Sequence, residues 1–162
     1  MKKKIGISIL FLVIVIGCVY FYIKINPPLE ISTLASSTDN KSIVIGVGNT
    51  GFREVHIVDV SVNNDEKPMK TKLQVSNALQ GFIIADDDTD EKAKKYGFTN
   101  IDHATIKTGT SPSSNFEKLD DGTATENDEI YGISIFHNEK VMEIQIKYSY
   151  LGLSFDETVT FY

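Results

Sequence analysis

The chain has 162 residues, 41% of them hydrophobic, which is enough for one folded domain with a sizeable core and a short appendage. Four of the 16 basic residues lie in the first 25 positions, so the remaining 12 face 22 acidic residues and residues 26–162 carry a net charge of −10. A surface this acidic argues against nucleic acid or anionic lipid as a partner. The single cysteine excludes an intramolecular disulfide, CxxC redox chemistry and a multi-thiolate zinc site.

The N-terminus carries an uncharged apolar run, residues 5–23, which as a helix is about 28 Å long and matches the hydrocarbon core of a bilayer. Three lysines precede the run and Lys24 follows it, so the positive-inside rule places the N-terminus in the cytoplasm and the rest outside. Pro27 and Pro28 end the helix. We therefore predict a signal anchor over residues 1–25 and an extracytoplasmic domain over residues 26–162.

Cys18 closes the sequence VIGC, which resembles a permissive bacterial lipobox and offers lipidation as an alternative. A lipidated cysteine normally opens a polar tether, whereas residues 19–23 continue the apolar run. No A-x-A-like site for a conventional cleaved signal follows the run. The sequence thus favours an uncleaved transmembrane helix, with Cys18 as a small residue within it.

Beyond the prolines, hydrophobicity alternates along the chain, which is typical of strands with one buried face. Polar turn signals with Asn, Asp and Gly separate these runs. Short strands with little helix predict an all-β fold, an antiparallel β-sandwich or barrel, and the modest number of strands in a domain of about 135 residues favours the sandwich. The predicted strands cover residues 29–35, 43–48, 56–62, 69–76, 79–85, 104–108, 130–137, 142–150 and 155–161.

One short surface helix is predicted at residues 89–96. Asp88 precedes it as a cap, Glu91 stands three residues on as in a capping box, and Gly97 occupies the position of a C-terminal glycine.

Two segments carry a resemblance. The run IVIGVGNTGFREVHIVDVSVN, residues 43–63, resembles the strand-turn-strand pair of extracytoplasmic Ig-like domains of the CARDB, LEA14 and FxLYD type. The closing KVMEIQIKYSYLGLSFDETVTFY is similar to their final hairpin. The resemblance implies an Ig-like β-sandwich in a small membrane-anchored protein of the Gram-positive type. Such folds serve adhesion, assembly and scaffolding without a fixed function.

The acidic run DDDTDE places Asp86, Asp88 and Asp90 at the D-x-D-x-D spacing of a calcium loop. An EF-hand loop needs glycine at its sixth position and glutamate at its twelfth, but those positions hold Glu91 and Gly97. We therefore read the run as a solvated acidic loop, with a looser calcium site as the alternative.

No catalytic constellation is visible in the sequence. The three histidines, His56, His103 and His137, are more than thirty residues apart and have no paired metal-ligand spacing. No serine lies in a G-x-S-x-G elbow. We predict that the chain is not an enzyme and has no catalytic, cofactor-binding or metal-binding residues.

Residues 108–129 form a long predicted connection in which Phe116 and Leu119 are the only large apolar side chains. Connections this long are usually functional or disordered. The two side chains either pin the segment to the domain, which we favour, or serve as an exposed anchor for a partner.

Together these features predict a membrane-anchored extracytoplasmic Ig-like module that acts through protein-protein or cell-envelope contacts, with no nucleic-acid partner and no cofactor. The alternative is an envelope solute- or calcium-binding protein or lipoprotein.

Overall fold

The computed structural model describes residues 2–84 and 93–161, without the side chains of residues 2–4, 33, 34, 94 and 103. Within that part the chain is mostly β and begins with an apolar helix, as predicted, and it contains one further α-helix at a position that was not predicted. The helices are α1 (Lys2–Ile25) and α2 (Pro112–Asp120), and Ala93–Lys95 and Ile101–His103 form single 3-10 turns. The strands are β1 (Leu29–Ser36), β2 (Ser42–Asn49), β3 (Val55–Val62), β4 (Lys70–Asn77), β5 (Gly97–Asn100), β6 (Thr105–Ile106), β7 (Glu129–Phe136), β8 (Glu143–Tyr150) and β9 (Leu153–Thr160).

Helix α1 is apolar around its whole circumference, and its side chains from Ile5 to Tyr22 lie almost entirely exposed. A water-soluble helix hides its apolar stripe against a core, so exposure on every side is typical of a helix surrounded by lipid. Among the described residues, Ile5–Ile25 is the one helical stretch long and apolar enough to span a membrane.

All strand pairs are antiparallel and form two sheets. Sheet 1 has the order β1-β2-β7-β4-β5, and sheet 2 has the order β6-β3-β8-β9. In sheet 1 the register pairs Leu29 with Asn49 at one end and Ser42 with Phe136 at the other. The end of the domain that receives the chain from α1 is therefore the Leu29–Asn49 end.

Both sheets contribute to one hydrophobic core. Ile133 of sheet 1 and Ile144 and Ile146 of sheet 2 are fully buried, and each such side chain stabilises the fold by about 1.5 to 3 kcal/mol. Tyr148 stacks on Phe155 with ring centroids 5.2 Å apart, and burial raises the pKa of its phenol above the ordinary value. The period-2 pattern of β8, buried at every second residue, follows from facing this core.

Strand β2 departs from the alternating pattern because every one of its residues is buried. Ile43, Ile45 and Val47 face the core, so Ser42, Val44, Gly46 and Gly48, which alternate with them, lie on the outer face of sheet 1. Their burial means that something covers this outer face. Helix α2 and the segment after β4 supply that cover.

Two sequence predictions are wrong in the segment between β4 and β6. Residues 79–84 form a turn and an irregular stretch instead of the predicted strand, because Asn77 accepts hydrogen bonds from Gln80 and Gly81, and Gly81 takes a φ of 70° that turns the chain off the sheet. Ala85 lies outside the described residues.

The predicted surface helix at 89–96 is replaced, in its described part, by the 3-10 turn Ala93–Lys95. Residues 89–92 lie outside the described part. Gly97 opens strand β5, where it pairs with Val75, and so does not act as a helix-ending glycine.

The predicted connection 108–129 contains α2, a helix that the sequence pattern did not predict. Its sequence signal is modest: Ser111 caps the first turn by accepting from the backbone N–H of Ser114 at 3.3 Å, and Pro112 occupies the first turn.

Candidate functional site

An apolar cleft of about 270 Å³ lies on the outer face of sheet 1, between α2 and residues 78–84. We call it the α2 cleft. One wall is formed by Pro112, Asn115, Phe116 and Leu119 of α2, and the other by Ala78, Gly81 and Phe82. Val44, Gly46 and Ile130 lie between the walls.

The floor of the cleft is open because two glycines face each other across neighbouring strands. Gly46 of β2 pairs in register with Gly132 of β7, so no side chain rises from either position. The ring of Phe82 lies over Gly132, where a Cβ would be 2.9 Å from the ring atoms Cδ1 and Cε1. Glycine at 132 therefore lets the Phe82 wall approach the sheet.

The wall built by α2 is fixed at its N-terminal end. The carboxylate of Glu30 on β1 accepts hydrogen bonds from the Ser111 hydroxyl at 2.7 Å and from the Ser113 backbone N–H at 3.2 Å. A carboxylate at a helix N-terminus also interacts favourably with the helix dipole. This contact joins residues more than eighty positions apart and sets where α2 begins on the sheet.

The opposite wall is held by the fully buried side chain of Gln74. Its Oε1 accepts from the backbone N–H of Ile83 at 2.8 Å, and its Nε2 donates to the Ile83 carbonyl at 3.0 Å and to the Ser134 hydroxyl at 3.1 Å. One side chain thus satisfies both backbone groups of Ile83, as a neighbouring strand would. This fixes the segment that carries Phe82.

Asn115 is the polar group that distinguishes the cleft. Its side chain lines the cleft and is 6% exposed, yet its Nδ2 has no hydrogen-bond partner among the described residues. None of the residues that line the cleft is charged. The arrangement therefore leaves one buried amide donor unpaired beside a neutral, apolar surface, and a donor left in this state costs about 1 to 3 kcal/mol.

Phe116 and Leu119, the two apolar residues singled out in the sequence, both lie in the α2 cleft. Phe116 is 48% exposed, and Leu119 is also partly exposed. Both side chains line the cleft and keep part of their surface open to solvent. They therefore share features with both predicted alternatives, a segment pinned to the domain and an exposed anchor for a partner. No sequence signal marks Asn115, Gly132 or Gln74, because their roles depend on pairs far apart in the chain.

The other predicted candidates do not join this cleft. Asp86, Asp88 and Asp90 lie outside the described residues, and Cys18 is exposed on α1. His56 lies 3.1 Å from the Thr105 hydroxyl through its Nδ1. In the ranges that the structure covers, no three His, Cys, Asp or Glu side chains come close enough to hold a metal ion.

His137 directly follows β7 and is buried, with its Nε2 3.5 Å from a carboxylate oxygen of Glu66. His103 has no described side chain. His56 pairs with Thr105 and Ser149, whereas His137 follows Phe136 at the far end of sheet 1, so these two histidines do not share a site.

The C-terminal end of α2 is tied to the start of β7 by Asp128. Lys118 of α2 donates to its carboxylate, and Thr125 donates to it through both its backbone N–H at 2.7 Å and its hydroxyl at 2.8 Å. These contacts, that of Lys118 foremost, lower the pKa of Asp128 to about 2 from an ordinary 3.8. The ionised carboxylate is the form that holds α2 at this end.

We expect the C-terminal end of α2 to loosen in acid. A lowered pKa means that the contribution of Asp128 is fully present above pH 3.8 and is lost as the pH falls towards 2. The protection factor of the Thr125 amide, which is its exchange rate relative to the intrinsic rate at the same pH, should therefore fall over this range in the wild type. In Asp128→Asn the protection should be low already at neutral pH, whereas Asp120→Asn, which removes the same charge from the same helix, should behave as the wild type.

Comparison with protein-family models, with curated proteins and with solved structures found no match to this chain.

Proposed function

We propose that the chain is a membrane-anchored, extracytoplasmic Ig-like module that holds a protein partner of the cell envelope by an apolar anchor side chain seated in the α2 cleft. The observation that carries the proposal is the unpartnered Nδ2 of Asn115 in an uncharged apolar cleft. An apolar anchor next to one backbone carbonyl is the ligand chemistry that this surface complements.

The size of the cleft suits an apolar anchor side chain. Sites for small molecules and cofactors usually enclose about 300 to 1,000 Å³, and a cavity of about 150 Å³ holds a benzene ring. At about 270 Å³ the α2 cleft has room for one or two side chains. Protein interfaces commonly concentrate their binding energy in such buried anchors.

The amide of Asn115 adds direction to this contact. A partner carbonyl that accepts from Nδ2 removes the cost of the unsatisfied donor, so the hydrogen bond favours the bound state by more than a surface hydrogen bond does. A hydrocarbon without an acceptor leaves the donor unpaired and binds less well. The cleft therefore selects an anchor presented on a peptide backbone.

The strand order supports the Ig-like part of the proposal. In Ig domains the first, second, fifth and fourth strands form one sheet, and the third, sixth and seventh form the other. Here β1, β2, β7 and β4 are neighbours in sheet 1, and β3, β8 and β9 are neighbours in sheet 2. When β5 and β6, which lie at the sheet edges, are left out, the remaining seven strands have the strand order of an Ig domain.

The membrane part of the proposal is supported by α1 and by its flanking charges. Lysines precede the apolar stretch, which favours a cytoplasmic N-terminus and an extracytoplasmic domain. The helix continues without interruption through Cys18 to Ile25. This continuity favours the uncleaved anchor over the lipoprotein alternative.

The proposal predicts that a photocrosslinking residue at position 116 traps a protein in living cells. Position 142 is the matched control, because Met142 is 46% exposed against 48% for Phe116 and lies outside the cleft. We expect a discrete protein adduct from benzoylphenylalanine at position 116 and none from position 142, read by mass spectrometry.

A second substitution, Leu119→Asp, should reduce the adduct at position 116 roughly tenfold or more, because a carboxylate without a partner is costly in an apolar site. Met142→Asp should leave the adduct unchanged. Adducts of equal yield from both positions, or only small-molecule adducts at position 116, would argue against a protein anchor in the cleft.

A further inference from the structure

Two exposed apolar side chains lie on neighbouring loops at the end of the domain where α1 arrives. Phe52 belongs to the loop between β2 and β3, and Leu151 to the turn between β8 and β9. Phe52 is 70% exposed and Leu151 is 47% exposed. Both residues border one shallow depression, which shows that the loops are adjacent in space.

Both loops are fixed to the exit of α1. The backbone N–H of Thr50 donates to the Pro28 carbonyl at 2.9 Å, directly before β1. On the other side, Lys24 Nζ donates to the Ser154 carbonyl at 2.7 Å and lies 4.3 Å from the centre of the Phe155 ring. Ile23 is buried in the core. The last turn of α1 therefore packs against the domain end that carries the two loops.

The apolar side chains are presented by ordered loops. The backbone N–H of Phe52 donates to the Tyr150 hydroxyl at 3.1 Å, and the two rings meet edge to face with centroids 5.9 Å apart. Leu151 and Gly152 have φ angles of 52° and 76°, as in the tight turns that connect hairpin strands. Little conformational entropy is left to lose when these side chains bind a surface.

We propose that Phe52 and Leu151 insert into the interfacial layer of the bilayer that α1 spans, and so hold the domain at a fixed tilt on the membrane. The proposal rests on α1 being a membrane anchor and is independent of the α2 cleft. Pro28 is three residues beyond the end of α1, a distance of at most about 11 Å even when extended, so the loop it contacts lies at the depth of the lipid headgroups.

The side chains of the two loops suit the interfacial layer of a bilayer. Aromatic and aliphatic side chains partition into the interfacial layer, where Tyr20 and Tyr22 of α1 are also expected to lie. The charges of Arg53 and Glu54 cancel within the β2–β3 loop. Leu151 and Gly152 are uncharged, so the two loops together present no net charge to the lipid.

Docking in this way also sets the height of the α2 cleft. Asn49 ends β2 at the membrane-facing end of sheet 1, and Gly46 lies three residues along the strand, about 10 Å away. The cleft is then held close above the headgroups, where it meets the membrane-proximal segments of other proteins.

The test uses tryptophan fluorescence, because the chain contains no tryptophan of its own. Full-length Phe52→Trp and Leu151→Trp are reconstituted singly into nanodiscs of phosphatidylcholine, with and without bromine on the acyl chains. Met69→Trp is the matched control, since Met69 is 66% exposed and lies next to Lys70, which pairs with Phe136 at the far end of sheet 1.

We expect the tryptophans at 52 and 151 to emit at shorter wavelength than that at 69 and to lose most of their emission in brominated lipid. The tryptophan at 69 should be unaffected. Thermal melting of each variant shows whether it is folded, and either loop position alone suffices for the comparison. Equal emission in brominated and plain lipid at positions 52 and 151 overturns the proposal. A blue shift without quenching also overturns it, because that result indicates contact with protein and not with lipid.

Discussion

Replacing Gly48 with alanine is expected to lower the free energy of unfolding by about 3 kcal/mol, the upper range for forcing an extra carbon into a close-packed site. Gly48 lies on the outer face of β2, directly beneath the start of α2. A Cβ at this position would overlap the carbonyl oxygen of Thr110 and the Cδ of Pro112, and would lie 2.9 Å from the Thr110 carbonyl carbon. These are backbone and ring atoms, which cannot rotate away.

The measurement is chemical denaturation of the full chain in detergent micelles. Gly97→Ala is the matched control, because its new Cβ would be 3.5 Å from the nearest atoms of Val75, an ordinary contact in the same sheet. We expect that control to lose about 1 kcal/mol or less. A Gly48→Ala protein as stable as Gly97→Ala would show that α2 does not rest on β2 as described.

Gln74→Leu is the second substitution with a large expected effect. Leucine has a similar volume but removes three hydrogen bonds, two of them to the backbone of Ile83. We expect a loss of about 2 to 3 kcal/mol in the free energy of unfolding, because each lost partner contributes about 1 kcal/mol. The segment that carries Phe82 should then separate from the sheet and open one wall of the cleft.

Amide hydrogen exchange at Ile83 reports this separation directly. Its backbone N–H should exchange much faster in Gln74→Leu than in the wild type. Gln145→Leu is the control, since the amide of Gln145 donates to Glu143 on the same strand and holds no loop. Unchanged protection of Ile83 in Gln74→Leu would contradict the role given to this side chain.

Much of the fold could be predicted because alternation reports burial on one face. The residues of β8 alternate in sequence and in exposure, and the predicted strand matches the observed one almost to the residue. Helix α1 was equally predictable, because the number of consecutive apolar residues needed to span a bilayer can be counted in the local sequence. Where one local pattern determines the structure, the sequence was sufficient.

Helix α2 could not be predicted in this way, because its nine residues are mostly polar and its intrinsic helical tendency is small. It is held by contacts that are distant in sequence. Glu30 satisfies its N-terminus, and Gly48 provides the space against which it packs. The prediction at 79–85 failed for a related reason: Gln74 replaces the strand partner that the alternating pattern implied.

The candidate site was the least predictable part. The cleft arises where Gly46 and Gly132 meet across two strands, and nothing in a single sequence signals that pairing. Asn115 is one polar residue in a polar segment until the fold buries it. Phe116 and Leu119 were recognisable as isolated apolar residues, but their shared surface appeared only with the helix.

We expect the α2 cleft to accept an apolar side chain beside a carbonyl acceptor. The most direct test is the side-chain amide resonance of Asn115 in the isotope-labelled full chain in nanodiscs, titrated with N-acetyl-L-phenylalanine methylamide. We predict a downfield, saturable shift of this resonance, no shift for the exposed Asn138, and little effect from N-acetyl-L-alanine methylamide. An unmoved Asn115 resonance, or equal shifts from the two compounds, would contradict this expectation.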